Sequence, residues 1–282
     1  MTPPDDRSVL HRRFGCDEPH LELPPDAPVS HALLAARGVV RSFSDAPVPY
    51  DLLHRLSAIA LCSPTKSDLQ QRDIVIVDDA ALRQQMLLPL AEGPAGQAWL
   101  KDVPALLIFC GNNRRQRLWH EWRGKPFAND HLDAFFNAAV DAGIALSAFV
   151  LAAEAQGLGV CPISVIRNRA AEISELLHLP HHVFPVAGLG VGWPATTPKQ
   201  SMRLPLDITV HRNGYREDDV RGAIEDYDRR REAAQPFREQ RYVDAFGKAS
   251  PYGWSEDKAR QYAVPERADF GAYVRTRGFN LD

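Results

Sequence analysis

Residues 142–192 read AGIALSAFVLAAEAQGLGVCPISVIRNRAAEISELLHLPHHVFPVAGLGVG and are followed by Trp193-Pro194. The opening portion is apolar on nearly every face and holds no breaker before Gly157. Traced back to Leu132, it predicts a helix over 132–156, too apolar for a surface and therefore buried in a large core or against a second subunit. Gly157-Leu158-Gly159 predicts a turn, because glycine permits conformations and close approaches closed to larger residues. Asn168–Leu177 has the spacing of an amphipathic helix, ended by Leu179-Pro180. Phe184–Val191 predicts a short buried strand. Its Gly188-Leu189-Gly190-Val191-Gly192 is no dinucleotide fingerprint, since that motif must open a helix and Trp193-Pro194 prevents one. The glycines are better placed as packing residues.

Working outward, Ser30–Ala36 predicts a short helix with Ser30 as its N-cap, and Pro47-Val48-Pro49 breaks the chain before a helix over Tyr50–Ala60. Ser63-Pro64-Thr65-Lys66-Ser67-Asp68 reads as a loop. Ile74–Val77 is a β-branched strand stopped by Asp78-Asp79. A helix over Ala80–Leu90 and a buried strand over Ala105–Cys110 follow. Residues 111–130 are polar and aromatic without a clear period and predict an excursion from the core. A further strand is expected over Leu206–His211 and a helix over Asp218–Ala234, with an aromatic, loop-rich tail to Asp282. Residues 1–30 carry six prolines, cannot run as one helix, and are expected to lie extended over the surface or a partner subunit. Strands and helices mix without strict alternation, which favours α+β over a doubly wound sheet. Three segments result: a Pro-rich extension (1–30), a core (31–213) and a C-terminal extension (214–282).

The 282 residues are 45% hydrophobic and 24% charged, as in ordinary soluble proteins. A net charge of −3 and a pI near 6.4 give no electrostatic reason to expect nucleic acid or an anionic membrane as partner. Only six of the 33 basic residues are lysine, a bias that genome composition explains as simply as anion binding does. Cys16, Cys62, Cys110 and Cys161 are far apart and form no CxxC pair, which favours a reducing cytoplasm. Met1–Arg13 lacks the apolar stretch of a secretory signal. The longest apolar run, Ala142–Ala153, is too short to span a bilayer. A soluble cytoplasmic protein is expected.

Arg37 and Arg41 stand four residues apart before Ser42-Phe43, a spacing that lets two guanidiniums converge on one phosphate. Taken alone, the pair is equally what a solvated face of an arginine-rich protein looks like. Beside it stand, in order, Ser63-Pro64-Thr65-Lys66-x-Asp68-x-Gln70, Gly157-Leu158-Gly159, Leu179-Pro180 with Pro185-Val186, Gly192-Trp193-Pro194 and Arg203-Leu204-Pro205. Over roughly residues 31–213 this series resembles the FMN-dependent nitroreductase family, in its NADPH-nitroreductase and flavin reductase branch. Residues 214–282 resemble that branch's C-terminal extension at Tyr227-Asp228 and Arg277-Gly278-Phe279.

The resemblance implies an α+β nitroreductase-like fold, a central, mainly antiparallel sheet flanked by helices, in a homodimer with FMN at the interface. It implies that Arg37, Val39, Arg41 and Arg203 surround the FMN phosphate. Gly38 and Val39 replace a basic residue and a serine usual there, and Ser201 replaces a lysine. It places Pro64, Thr65, Lys66, Asp68 and Gln70 along the isoalloxazine, with Asp68 where asparagine is common; a carboxylate accepts a bond from flavin N3–H but cannot donate as an amide does. It sets Pro162, Ile163 and Ser164 near flavin N5, where a backbone donor assists hydride transfer. The implied reaction is ping-pong: NADPH or NADH reduces FMN, and a nitroaromatic, quinone or flavin then takes the electrons, with no side-chain acid or base required. Alternatives are a specialised flavoenzyme of the same fold, dehalogenase- or dehydrogenase-like, or a non-catalytic flavin- or ligand-binding protein. His120-Glu121 and Asp130-His131 lack metal-ligand spacing, so no metal is expected. No nucleophile motif is present.

Overall fold

The computed structural model describes residues 8–16, 18–24, 26–92 and 96–282. The expectations for Pro3, Pro4, Asp5, Asp6 and Pro25 therefore lie outside the described residues. In chain order the elements begin with α1 (Val9–Phe14), α2 (Val29–Ala36), α3 (Tyr50–Ala60), β1 (Arg72–Val77), α4 (Ala80–Glu92) and β2 (Ala105–Asn112). There follow α5 (Arg114–Trp122), α6 (Leu132–Ala155), β3 (Gly159–Ile163), α7 (Ala170–Leu176) and β4 (Val183–Gly192). The chain closes with α8 (Val220–Ala234), α9 (Val243–Phe246), α10 (Trp254–Tyr262) and α11 (Phe270–Thr276). Two compact units result: Val39–Pro198 with Arg267–Asp282, and Lys199–Glu266 with the described residues up to Gly38.

The first unit is built on one antiparallel sheet in the order β1-β2-β4-β3. Every residue of β2 is buried, which is why Ala105–Cys110 reads as a continuous apolar run rather than an alternation. Its side chains divide by pleat. Leu106, Ile108 and Cys110 join one core with Met86, Leu87 and Leu90 of α4 and Ile173 of α7. Ala105, Leu107 and Phe109 join the other with Leu53 and Leu56 of α3 and Ala145, Phe149 and Ala153 of α6. Two apolar layers therefore sandwich the sheet, and each of its faces needs its own helices. The expectation of an α+β fold with an antiparallel sheet holds.

β4 contains Pro185, which a central strand tolerates only where the ladder is interrupted. The register shifts at Phe109/Cys110, so that Phe109 faces Ala187 while Cys110 faces Pro185. Val186 is left over, and its carbonyl accepts a bond from Arg167 Nη1 at 2.5 Å. Further along β4, a Cβ on Gly192 would meet Phe43 Cδ1 at 2.6 Å. These glycines are packing positions, as the Trp193-Pro194 closure implies.

Several expectations are corrected. Gly159–Ile163 is a strand, β3, that begins at the last residue of the predicted turn and was not foreseen; Pro162 conceals it, and the edge position explains the proline. The Val160 carbonyl points away from β4 to accept the Val40 N–H at 3.1 Å. With a period of two, the missing N–H of Pro162 falls on that same open side. Residues 111–130 contain α5, held by polar bonds that hydropathy does not register: buried Asn113 bonds Gln71 (2.9 Å), Gln116 (3.0 Å) and Arg117 (2.8 Å). Leu206–His211 is a 3-10 turn over Leu206–Ile208, because Thr209 Oγ1 bonds the Pro205 carbonyl at 2.9 Å and turns a β-branched run back on itself. Helix α2 starts one residue before Ser30, at Val29, without a side-chain cap. The Asn168–Leu177 helix is α7 preceded by a 3-10 turn over Ser164–Arg169. The tail beyond 234 holds three helices rather than mostly loop.

Among the described residues one helix, α6, is long and apolar enough to cross a membrane by length and composition. Its Ala138, Ala142, Ala145 and Phe149 are fully buried. A Cβ on Gly159 would lie 2.7 Å from three atoms of Val40. Gly159→Ala should therefore cost about 1–3 kcal/mol by overpacking, measured as a fall of several degrees in Tm.

Candidate functional site

The sequence-predicted residues fall into both units. In the first, the chain from Ser63 to Gln70 forms a tight loop around a 3-10 turn, Lys66–Asp68. Ser67, Asp68 and Gln70 all adopt left-handed backbone, at φ 48°, 56° and 51°. Non-glycine residues reach that region at a cost of order 1 kcal/mol each or more, so three within four residues require an external hold. Asp141, fully buried on α6, supplies it: one carboxylate oxygen accepts the Lys66 N–H at 2.9 Å and the other the Gln71 N–H at 3.0 Å.

Arg72 secures the other side of the loop. Its guanidinium, nearly buried, donates to the carbonyls of Leu61 (2.8 Å), Ser63 (2.8 Å) and Pro64 (3.1 Å). Burial holds the Arg72 guanidinium below its usual range, and the charges of Asp141, Asp68 and Cys62 oppose that shift. Thr65 Oγ1 accepts the Gln70 N–H at 3.4 Å, and Asp68 accepts from the Gln70 side-chain amide at 3.2 Å. Pro64, Lys66, Asp68 and Gln70 are exposed, and Thr65 is half-buried. The result is a rigid polar rim, suited to hydrogen-bonding the edge of a planar ligand.

At the end of β3 the side chains alternate. Pro162 and Ser164 are exposed, and Ile163 is packed in the core. Near the start of the unit, Val39 is half-buried and Arg41 exposed, with the Arg41 guanidinium 5.9 Å from the Trp99 ring centroid.

Arg37 and Arg203 belong to the second unit and come together there. They line a pocket of about 420 Å³ with Arg13, His31 and an apolar wall of Leu10, Phe14, Leu23, Leu34 and Ala35. Among the described residues, none of those lining the pocket is a carboxylate. Arg13 is nearly buried; its Nη1 donates to the Arg37 carbonyl at 3.2 Å, and its own carbonyl accepts the Arg203 N–H at 2.6 Å. Burial first, then the charges of Arg203 and Arg37, hold the Arg13 guanidinium below its usual range. Guanidiniums gathered in this way present forked donors that suit an anion. A dianionic phosphate with several acceptor oxygens fits that donor set.

Three residues of these sites escaped the sequence reading. Asp141 carried a usable signal, as the one carboxylate amid an otherwise apolar helical stretch. Arg72 opens a strand and Arg13 sits among prolines, so neither stood out by pattern. The residues considered for metal binding have other roles. Asp130 pairs with Arg117, whose hydrogen bond holds the carboxyl below its usual range. His131 caps α6, accepting the Asp133 N–H, and His120 Nδ1 bonds the Pro126 carbonyl. Burial pushes the Cys110 thiol far up, which makes it a packing residue rather than a nucleophile.

With this geometry in hand, the comparisons with known proteins are specific. A model described as the nitroreductase family matches residues 34–193, and one for the C-terminal domain of that family matches residues 201–282. A Bacillus subtilis FMN reductase [NAD(P)H] is 32% identical over 194 residues, covering 67% of this chain and 76% of that protein. Among solved structures, B. megaterium NfrA2 superposes with a TM-score of 0.79 at 30% identity over 90% of this chain and 98% of that one. The NADPH:FMN oxidoreductase of Vibrio harveyi, complexed with NAD+, gives 0.74 at 26% identity, covering 88% and 97%.

The hold on the loop is directly testable. Asp141→Asn keeps the shape but sets an amide where two N–H groups need acceptors, beside buried Arg72. It should cost about 2–4 kcal/mol, with faster hydrogen exchange at the Lys66 and Gln71 amides than in the parent protein.

Proposed function

The chain belongs to the nitroreductase family, and on that premise we propose an FMN-binding role for each of the two polar sites. The protein is an FMN-dependent NAD(P)H oxidoreductase. The observation that carries the site assignment is the arginine pocket. Its donor set suits the terminal phosphate of FMN, and Arg37 and Arg203 are the residues whose positions match the family's phosphate-binding motifs. Arg41 and Val39 are assigned to the phosphate on their motif positions alone.

Pro64, Thr65, Lys66, Asp68 and Gln70 are assigned to the ring. The Asp141 and Arg72 clamps support this, since a loop held in a strained shape before the ligand arrives loses little entropy on binding it. Pro162, Ile163 and Ser164 are assigned to the neighbourhood of N5. For Ile163 only the backbone is available, because its side chain is core.

FMN, when bound, supplies the hydride-accepting ring of a ping-pong reaction, in which NADPH or NADH is the donor and a second substrate the acceptor. The protein's own contribution is to bind and orient, so no side-chain acid or base is assigned. We place nitroaromatics, quinones and free flavin as the acceptor class. Four free cysteines, Cys16, Cys62, Cys110 and Cys161, support a reducing cytoplasm as the location.

The assembly we propose is a homodimer. Leu132, Phe136 and Val140 recur at every fourth position of α6 and are 50%, 59% and 41% exposed. An exposed apolar stripe on a helix whose other side packs in the core is what a second copy would cover. Phe136→Asp is expected to shift the protein from dimer to monomer at micromolar concentration by light scattering; an unchanged mass would remove α6 from the interface.

The activity is tested by loading the protein with FMN and adding NADPH or NADH without oxygen. The flavin colour should bleach and return on adding an acceptor. Arg37→Ala combined with Arg203→Ala should weaken FMN binding by about a hundredfold, two charge-assisted contacts being lost. Equal FMN affinity in parent and double variant would remove the phosphate assignment.

A further inference from the structure

We propose that Asn213-Gly214 is a site of spontaneous covalent modification, where the asparagine loses ammonia and the loop gains a carboxylate. The chain has seven asparagines, and Asn213 is the one followed by glycine. Loss of ammonia begins when the backbone nitrogen of the next residue attacks the side-chain carbonyl carbon. That nitrogen must be unhindered, and the segment must be free to bend the two groups together. Structure sets both conditions.

Five of the other asparagines are held. Asn112 and Asn113 are buried, Asn112 donating to Asp73 and Asn113 to Gln71 and Gln116. Asn137 lies within α6 with its amide on Asp133 at 2.6 Å. Asn168 accepts from Arg267, and Asn280 donates to the Asp130 carbonyl, each at 2.9 Å. Asn129 is exposed, but Asp130 follows it and carries a substituent on Cβ beside the attacking nitrogen.

Asn213 stands differently. The rings of His211 and Tyr215 meet with centroids 4.3 Å apart and close the base of a tip, Arg212-Asn213-Gly214, whose three residues are exposed. Asn213 is in left-handed backbone at φ 64°, a region asparagine tolerates better than most residues. Among the described residues no hydrogen bond holds the Gly214 N–H or the Asn213 amide. A Cβ built on Gly214 would meet nothing within 4 Å, so the tip has room to move. Lacking that Cβ, Gly214 presents its nitrogen unscreened.

The step balances with water alone. The Gly214 nitrogen yields its proton to solvent base and bonds Cγ of Asn213. The Cγ–Nδ2 bond breaks, and Nδ2 takes up a proton and leaves as ammonia. Water then opens the five-membered imide. Breaking its Cγ–N bond leaves an aspartate on a normal backbone, and breaking the backbone C–N bond leaves the chain running through the side chain. Either product is ionised at neutral pH, so the formal net charge moves one unit below −3. The new charge stands beside Arg212, which lines a surface cavity of about 760 Å³ together with Arg216.

The test incubates the folded full-length chain in heavy-oxygen water at mildly acidic and mildly alkaline pH. Ion exchange separates the charge forms, and the tryptic peptide Asn213–Arg216 is examined by mass spectrometry. The heavy oxygen marks conversion that occurred before digestion, and Asn213→Asp marks where the converted form elutes. The acidic form should accumulate faster at the higher pH, carry heavy oxygen at position 213 and contain both backbone products. Gly214→Ala should slow it by about tenfold, and Asn213→Gln, which would have to close a larger ring, should abolish it. Asn129 serves as the internal control and should stay unconverted. An unchanged Asn213 in the folded chain while a denatured sample converts would overturn the proposal. So would equal conversion at Asn129, or an undiminished rate in Gly214→Ala.

Discussion

The buried carboxylate of Asp141 is the interaction on which the first unit's chemistry depends. It sits within an otherwise apolar stretch of α6, wholly removed from water, where an unpaired charge would cost several kcal/mol. Both of its oxygens accept backbone N–H groups, of Lys66 and Gln71, and Arg72 lies close enough to feel it. The same two bonds straddle Ser67, Asp68 and Gln70 and hold them in a backbone region such residues seldom visit. One side chain thus converts the burial of a core helix into the fixed shape of an exposed loop. Helix position, loop shape and site rigidity are one constraint seen at three scales.

That coupling explains why the sheet is built as it is. A loop anchored to α6 is only as rigid as the seat of α6, and that seat is the face of β2 and β4 carrying Leu107, Phe109, Leu189 and Val191. Phe109 and Phe149 meet edge-on with ring centroids 5.8 Å apart, which pins the helix along its length as well as its height. The opposite face needs a second set of helices only because β2 is apolar on both sides. The double layer follows from the strand, and the site follows from one of the layers.

How legible this was depended on the kind of physics holding each part. Segments held by apolar burial were read nearly to the residue: Tyr50–Ala60 as a helix, Ala105–Cys110 as a strand and Leu132–Gln156 as a buried helix match α3, β2 and α6. Segments held by polar bonds were not. Asn113 organises α5 through side-chain amides and a guanidinium, and hydropathy has no period to report there. Pro162 hid β3 because a proline argues against a strand unless its missing N–H is known to face an open edge. Ile208-Thr209-Val210 looked like a strand because β-branching is a propensity, whereas one hydroxyl bond to Pro205 is a geometry. Of the candidate site, Arg37 and Arg203 were found by motif and do line one pocket. Arg13 and Arg72 were missed because a buried arginine is defined by its partners, here backbone carbonyls that no motif or period marks.

The surplus of arginine over lysine takes on a different meaning in this light. Genome composition accounts for the excess on exposed faces, but it does not account for an arginine that is nearly buried. Arg13, Arg72 and Arg260 are each 5% exposed or less, and two of them serve several backbone carbonyls at once: Arg72 those of Leu61, Ser63 and Pro64, Arg260 those of Arg241 and Gly247. A lysine could not do this, having one charge centre and no planar fork. Arg13 differs from this pair in having only one such carbonyl and two arginines for neighbours.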